Sequence, residues 1–184
     1  GPETSLPPLP MEGTPTNLQV EASRDGSTVG FACDLSGDGS SSPLFIGFFT
    51  STRKPAAIIR PNYVSILSLQ GGLNGNLFVY YDTGSVLLFN EYKPTLTKQF
   101  AITSERQFSS DFPALCQVDG SNNRWIMDMD TATLTAYDSA YVPARVFNLQ
   151  QPHDLIRYDP VARSILLVRY ADSIIHVNKF YADF

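Results

Sequence analysis

Short runs of β-branched and aromatic residues, each stopped by a turn, are the feature that most constrains this sequence of 184 residues. Its 13 prolines and 12 glycines are spread through the chain, so no helical stripe continues beyond one or two turns. Residues 104–111 and 159–163 are examples of such short helical candidates. The sequence therefore predicts an all-β fold: an antiparallel barrel or sandwich built from hairpins and meanders, with a small or partial β-propeller as the alternative.

Three hairpins stand out. The clearest has two β-rich runs on either side of Asp82-Thr-Gly-Ser85, and residues 124–137 and 164–177 show the same pattern. Their centres are roughly 40–48 residues apart, the usual length of a propeller blade, although no motif recurs at fixed offsets. Strands are predicted at 18–22, 28–33, 44–50, 63–69, 77–82, 85–90, 124–130, 133–137, 164–170 and 173–178.

Two strand-like runs carry additional information. Gly47 interrupts the apolar run Leu44–Phe49, which indicates a bulge or a close approach of another part of the chain. In the run that begins at Arg124, alternation places Trp125, Met127 and Met129 on one face. We expect that face to belong to the core.

The sequence divides the chain into three parts. Gly1-Pro2 is typical of what a protease leaves after removing an affinity tag. Residues 3–16 contain four prolines and little periodicity, which predicts an extended linker or arm. Residues 17–184 are predicted to form a single all-β domain.

The composition excludes several classes of protein. Hydrophobic residues make up 43% of the chain, too many for a disordered protein, and charged residues only 17%, with no sustained heptad for a coiled coil. The net charge of -5 and the scattered arginines argue against a nucleic-acid partner. No apolar run is long enough for membrane insertion. No asparagine begins an Asn-x-Ser/Thr sequon, which favours synthesis in the cytosol.

The two cysteines, Cys33 and Cys116, lie far apart in unlike contexts. Two buried free thiols are the first interpretation, and a long-range disulfide is the alternative. A small disulfide-stapled secreted domain would need more cysteines.

No catalytic or metal-binding constellation is apparent. His153 and His176 show no relation to a nucleophile, and alternation places His176 on the face opposite Ile175 and Val177. Two sets of carboxylates are most simply solvated residues, and each has an alternative: a calcium loop at Asp34–Asp38, and a catalytic pair at Asp128 and Asp130. The sequence predicts a non-enzyme without cofactor or metal.

Recognition by surface loops is the remaining possibility. Tyrosine and cationic side chains in loops provide large contact areas together with hydrogen bonds. The residues predicted to bind a receptor or partner are Arg53, Lys54, Tyr92, Lys93 and Tyr141.

Several of these features together resemble a protruding spike domain of a non-enveloped virus capsid, most like an astrovirus spike. They are the proline-rich stretch 3–16, the low-charge body rich in Phe, Tyr, Ser and Thr, the missing sequons and the strand-rich run Ile165-Leu-Leu-Val168. The resemblance implies a homodimer on the virion surface, released from a larger capsid precursor. It would attach to a host receptor, a protein or a glycan, and would be a target of antibodies.

An intracellular β-rich interaction module is the alternative function. It would be a propeller fragment or a scaffold resembling a polo box, because Leu77–Phe89 resembles the strand–turn–strand hairpin of that family. A polo box also carries a long helix over its sheet, and no such helix is predicted here.

Overall fold

The architecture comes from a computed structural model. It describes residues 13–37, 40–52, 55–59, 65–97, 99–109 and 114–182. Within these ranges the chain contains fifteen β-strands and no helix, which confirms the all-β prediction.

The strands form four small antiparallel sheets. The first sheet consists of β1 (Thr14–Ala22), β2 (Thr28–Gly37), β3 (Ser40–Phe49) and β4 (Pro55–Ile59). The second consists of β5 (Ser65–Gly71), β6 (Leu77–Asp82), β7 (Val86–Pro94) and β8 (Phe100–Ser109). The third consists of β9 (Ala114–Val118), β10 (Arg124–Asp128), β11 (Thr133–Tyr137) and β12 (Pro143–Asn148). The fourth consists of β13 (Leu155–Asp159), β14 (Ser164–Ala171) and β15 (Ile174–Tyr181).

Strand order within every sheet follows chain order, so the chain makes four meanders one after another. A barrel or sandwich would instead join strands from distant parts of the chain in shared sheets. Successive meanders, each of which forms a separate sheet, match the small-propeller alternative.

The chain divides into two compact units, residues 1–106 and 107–184. The core of the first unit combines side chains from both of its sheets, such as Phe45 on β3 and Tyr92 on β7, whose ring centroids are 4.7 Å apart. The core of the second unit combines Trp125 and Leu134 with Leu167 of the fourth sheet. The single domain proposed for residues 17–184 stays a prediction.

At Gly47 the structure shows both a bulge and a close approach of another part of the chain, the two possibilities that a glycine in an apolar strand indicates. The pairing register of β3 with β4 shifts between Gly47 and Phe48. A Cβ atom at Gly47 would lie 2.6 Å from the ring of Phe100. The glycine therefore leaves room for the ring of Phe100, on β8, to pack closely against β3.

One turn is repeated in the second unit, although no recurrent motif is visible in the sequence. Asp128 ends β10 and Asp159 ends β13, and in each case Oδ1 accepts hydrogen bonds from the N–H groups two and three residues on. Both turns finish in the left-handed conformation, at Ala132 (φ 51°) and Arg163 (φ 46°). The second turn occupies residues 160–163 between β13 and β14, and no helix is present there.

The predicted strands are all present, but five others were missed: β4, β8, β9, β12 and β13. Residues 104–109 belong to β8 rather than to a short helix, because pairing with β7 overrides the polar Glu105-Arg106-Gln107 sequence. β12 is missed because nearly all of its side chains are exposed, so it shows no apolar alternation. β1 begins at Thr14, so the last residues of the predicted arm are strand; residues 1–12 lie outside the described ranges.

The predicted core face of β10 is confirmed in part. Trp125 and Met127 are fully buried. The strand ends at Asp128, so Met129 lies in the following turn and only packs against the edge of the core. Cys33 and Cys116 are both buried free thiols, as in the first interpretation of the two cysteines.

Candidate functional site

A polar cleft of about 380 Å³ in the second unit contains both histidines of the chain. The inner face of the fourth sheet is apolar at Ile165 and Leu167 and becomes polar towards the β14–β15 turn. There Arg169 pairs with His176 across the two strands. The complete lining is Asn148, Leu149, Gln150, Gln151, His153, Arg169, His176 and Asn178.

His153 is buried at the base of this cleft, in the segment before β13. Its Nδ1 lies 3.1 Å from the carbonyl oxygen of Gln151, and its Nε2 lies 3.2 Å from Nδ2 of Asn178. A carbonyl oxygen only accepts and an amide NH₂ only donates, so Nδ1 carries the proton and Nε2 accepts. The contacts therefore define a neutral His153 with both ring nitrogens engaged.

Burial lowers the pKa of His153 below the ordinary value of 6.5. The carbonyl of Gln151 opposes this shift, as does the carboxylate of Asp154, whereas Arg169 and His176 lower the pKa further. The neutral ring is thus favoured by its burial and by the positive charge of Arg169.

This shift predicts a pH dependence of stability. Below pH 6.5 the unfolded chain binds a proton at His153 while the folded chain does not, so the free energy of unfolding falls as the pH drops from 6.5 towards the lowered pKa. We expect His153→Gln to lack this contribution. Urea unfolding at pH 7.5 and pH 5 should show wild type losing more stability than the variant. An equal loss in both proteins would contradict the assignment.

Arg169 provides the permanent positive charge of the cleft. Its Nη1 donates to Oε1 of Gln151 at 2.6 Å, which holds the guanidinium in place. A guanidinium has five N–H donors, so this one bond leaves others for a ligand. The described residues of the lining include no Asp, Glu, Ser, Thr, Tyr, Cys or Lys. The cleft therefore combines one fixed cation, two imidazoles and several amides.

The predicted loop residues do not come together in this cleft. Tyr92 is not in a loop: β7 continues to Pro94, Tyr92 is buried, and its hydroxyl lies 3.0 Å from that of Tyr81. Lys93 is also on β7, with Nζ 3.6 Å from Oε1 of Glu91. Arg53 and Lys54 lie outside the described residues.

Tyr141 does lie in a turn, between β11 and β12, with φ 63°. Its ring packs on the buried guanidinium of Arg124, with 4.1 Å from Cζ to the ring centroid. This contact gives Tyr141 a structural role in the turn, and its part in recognition stays a prediction.

Both carboxylate candidates have structural roles. Asp34 is buried; its Oδ1 accepts from the N–H of Ile66 and its Oδ2 from Nδ2 of Asn17, which ties β2 to two other strands. Asp38 lies outside the described residues.

Asp128 accepts the N–H of Asp130 within a turn, so the two carboxylates do not share a strand face. In the described part of the chain no cluster of three or more potential metal ligands is present.

The sequence indicated the hairpin that carries two of the cleft residues, but not its register. The predicted strand ends at 170 and 173 place the turn at Ala171-Asp172, which would set Arg169 opposite Ile174. The observed turn is Asp172-Ser173, where both residues have positive φ as a tight two-residue turn requires, and it sets Arg169 opposite His176. The contribution of His153 has no such local signal, because it lies 25 residues from Asn178.

In the described residues no helix is long and apolar enough to span a membrane.

Comparison with known proteins gives similarity of fold only. No family model matches the chain, and no curated protein matches its sequence. A chain of Kuenenia stuttgartiensis hydrazine synthase is similar in structure, with a TM-score of 0.55 and 12% identity over 89% of this chain and 58% of that one. A Bacteroides fragilis protein provisionally described as a 6-phosphogluconolactonase has a TM-score of 0.47 and 12% identity over 90% of this chain and 56% of that one. This chain thus spans less than three fifths of either protein, and only the first similarity supports the fold.

Proposed function

We propose that this chain is a non-catalytic recognition domain and that the polar cleft is its ligand site. The setting we propose is the protruding spike of a non-enveloped virus capsid, where the domain attaches to a host receptor and is exposed to antibodies. The observation that carries the recognition role is the lining of the cleft, in which one cation and several amides meet without a carboxylate.

The chemistry of the lining favours binding over catalysis. Hydrolysis requires a nucleophile or a general base with a free lone pair near the reacting atom. Both ring nitrogens of His153 are engaged, and Arg169 is not a base. His176 is the second imidazole, and the described lining gives it no Ser, Thr, Tyr or Cys to activate. The remaining described lining side chains are amides and one leucine.

The same lining indicates the class of ligand. A carboxylate forms paired hydrogen bonds with a guanidinium, and one fixed positive charge balances one negative charge. Asn148, Gln150 and Asn178 offer amide donors and acceptors that suit hydroxyl groups. A volume of about 380 Å³ accommodates a small ligand. We therefore propose that the cleft binds an acidic sugar, presented as part of a receptor glycan.

Calorimetric titration with D-glucuronate and N-acetylneuraminate tests this proposal, with D-glucose as the neutral control. We expect at least one acidic sugar to bind and D-glucose to bind much more weakly. Arg169→Gln should weaken that binding by about tenfold or more, because it removes a charge-assisted pair.

Arg157→Gln is the matched control, since Arg157 is an exposed arginine on the opposite face of the same sheet. Its affinity should equal that of wild type. The proposal fails if neither acidic sugar binds, or if Arg169→Gln binds as tightly as wild type.

A further inference from the structure

The outer face of the fourth sheet carries an unusual number of exposed apolar side chains. The strand register places Leu155 beside Val168, Val168 beside Val177, and Tyr170 beside Ile175. Tyr170 is 65% exposed, Ile175 66% and Val177 55%. These residues alternate with the inner ones that pack in the core or line the cleft. They form a continuous apolar band, which we call the outer band.

The strand at the edge of this face lacks the usual protection. Among the described strands β15 pairs only with β14. Its register runs from Ile174 to Tyr181 without a bulge, it contains no proline, and Lys179 is its only Lys, Arg, Asp or Glu. Natural edge strands are normally short, bulged or charged, because an open edge invites pairing with another chain.

We infer that the outer band is an interface between two copies of this chain, whose strands run in opposite directions across a two-fold axis. The exposed apolar side chains on this face are Leu155, Tyr170, Ile175, Val177 and Tyr181. With about 100 Å² from each, two copies would bury about 1,000 Å², the least that a specific interface needs. This inference does not rest on the proposed ligand.

The charges at the two ends of the band suit this arrangement. Asp172 lies at the β14–β15 turn, and Lys179 lies on the same face of β15 between Val177 and Tyr181. With the strands reversed, Asp172 of each copy approaches Lys179 of the other, while the apolar residues meet in the middle. A two-fold axis repeats this contact twice, as an isologous interface requires. With the strands aligned, like charges would meet instead.

The oligomeric state of wild type and two lysine variants tests the inference. Sedimentation velocity at about 50 μM should give wild type a mass twice that of the 20.3 kDa chain. Ile175→Lys should be a monomer, since it buries a charge at the centre of the interface. Val146→Lys is the matched control, because Val146 is 58% exposed on β12 of the other sheet in the unit. It should remain a dimer.

Three results would overturn the inference: a monomeric wild type, a dimeric Ile175→Lys, or dissociation by Val146→Lys to the same extent. Circular dichroism of both variants confirms that they are folded. Ile175→Lys should keep wild-type affinity in the sugar titration, because Ile175 and the cleft are on opposite faces. Failure of the dimer is therefore distinguishable from failure of the ligand site.

Discussion

Replacement of Trp125 by alanine is expected to lower the free energy of unfolding by about 3–5 kcal/mol. The side chain is fully buried, and its ring is stacked on Phe147 with a centroid distance of 6.2 Å. Its Nε1–H also donates to Oδ2 of Asp119 at 3.0 Å. The variant therefore loses apolar contacts, leaves a cavity and removes a hydrogen bond. Chemical denaturation of both proteins measures the difference.

Trp125→Phe separates the ring from the hydrogen bond. It keeps an aromatic ring in the cavity but leaves Asp119 without the indole donor, so we expect a loss of about 1–3 kcal/mol. Wild type should also show the blue-shifted emission of a buried tryptophan. Water-like emission, or a loss below about 1 kcal/mol in Trp125→Ala, would contradict the packing of β10.

Replacement of Asp119 by alanine is expected to cost about 3 kcal/mol or more, because it leaves several buried donors without an acceptor. The carboxylate is buried and accepts from the N–H of Ser121, the N–H and Nδ2 of Asn123, and Nε1 of Trp125, at 2.8–3.0 Å. It therefore holds the β9–β10 turn and the central tryptophan together. Urea unfolding is the measurement.

Asp128→Ala is the matched control for this variant. Asp128 accepts two backbone N–H groups in a similar turn, but it is exposed, so water replaces the lost bonds. We expect a cost of about 0.5–1 kcal/mol. Equal costs for the two variants would show that burial of Asp119 is not what makes it important.

The fold was predictable where local chemistry determines it. The β6–β7 hairpin was found because β-rich runs flank Asp82-Thr-Gly-Ser85, and Oδ1 of Asp82 does accept the N–H of Gly84 in the turn. β12 was not predictable in the same way, since exposed side chains carry no alternation and only pairing with β11 makes it a strand. The repeated Asp128 and Asp159 turns were hidden because backbone conformation, not sequence identity, is what they share.

The candidate site was only partly accessible from sequence. The hairpin that carries Arg169 and His176 was predicted, but its turn lies one residue later than predicted, and only the observed register pairs the cation with the imidazole. His153 reaches the cleft through a segment without regular structure. Tyr92 shows the opposite error, since a tyrosine beside a lysine and a proline is typical of a loop and this one is in the core.

Histidine-ring NMR tests the central claim most directly, because the only two histidines of the chain both line the cleft. Addition of the acidic sugar that binds in the titration should shift the ring signals of His176 and His153 in wild type. In Arg169→Gln the same concentration should leave them in place. Ring signals that stay fixed while calorimetry shows the sugar bound to wild type would contradict the account, because the ligand would then lie elsewhere.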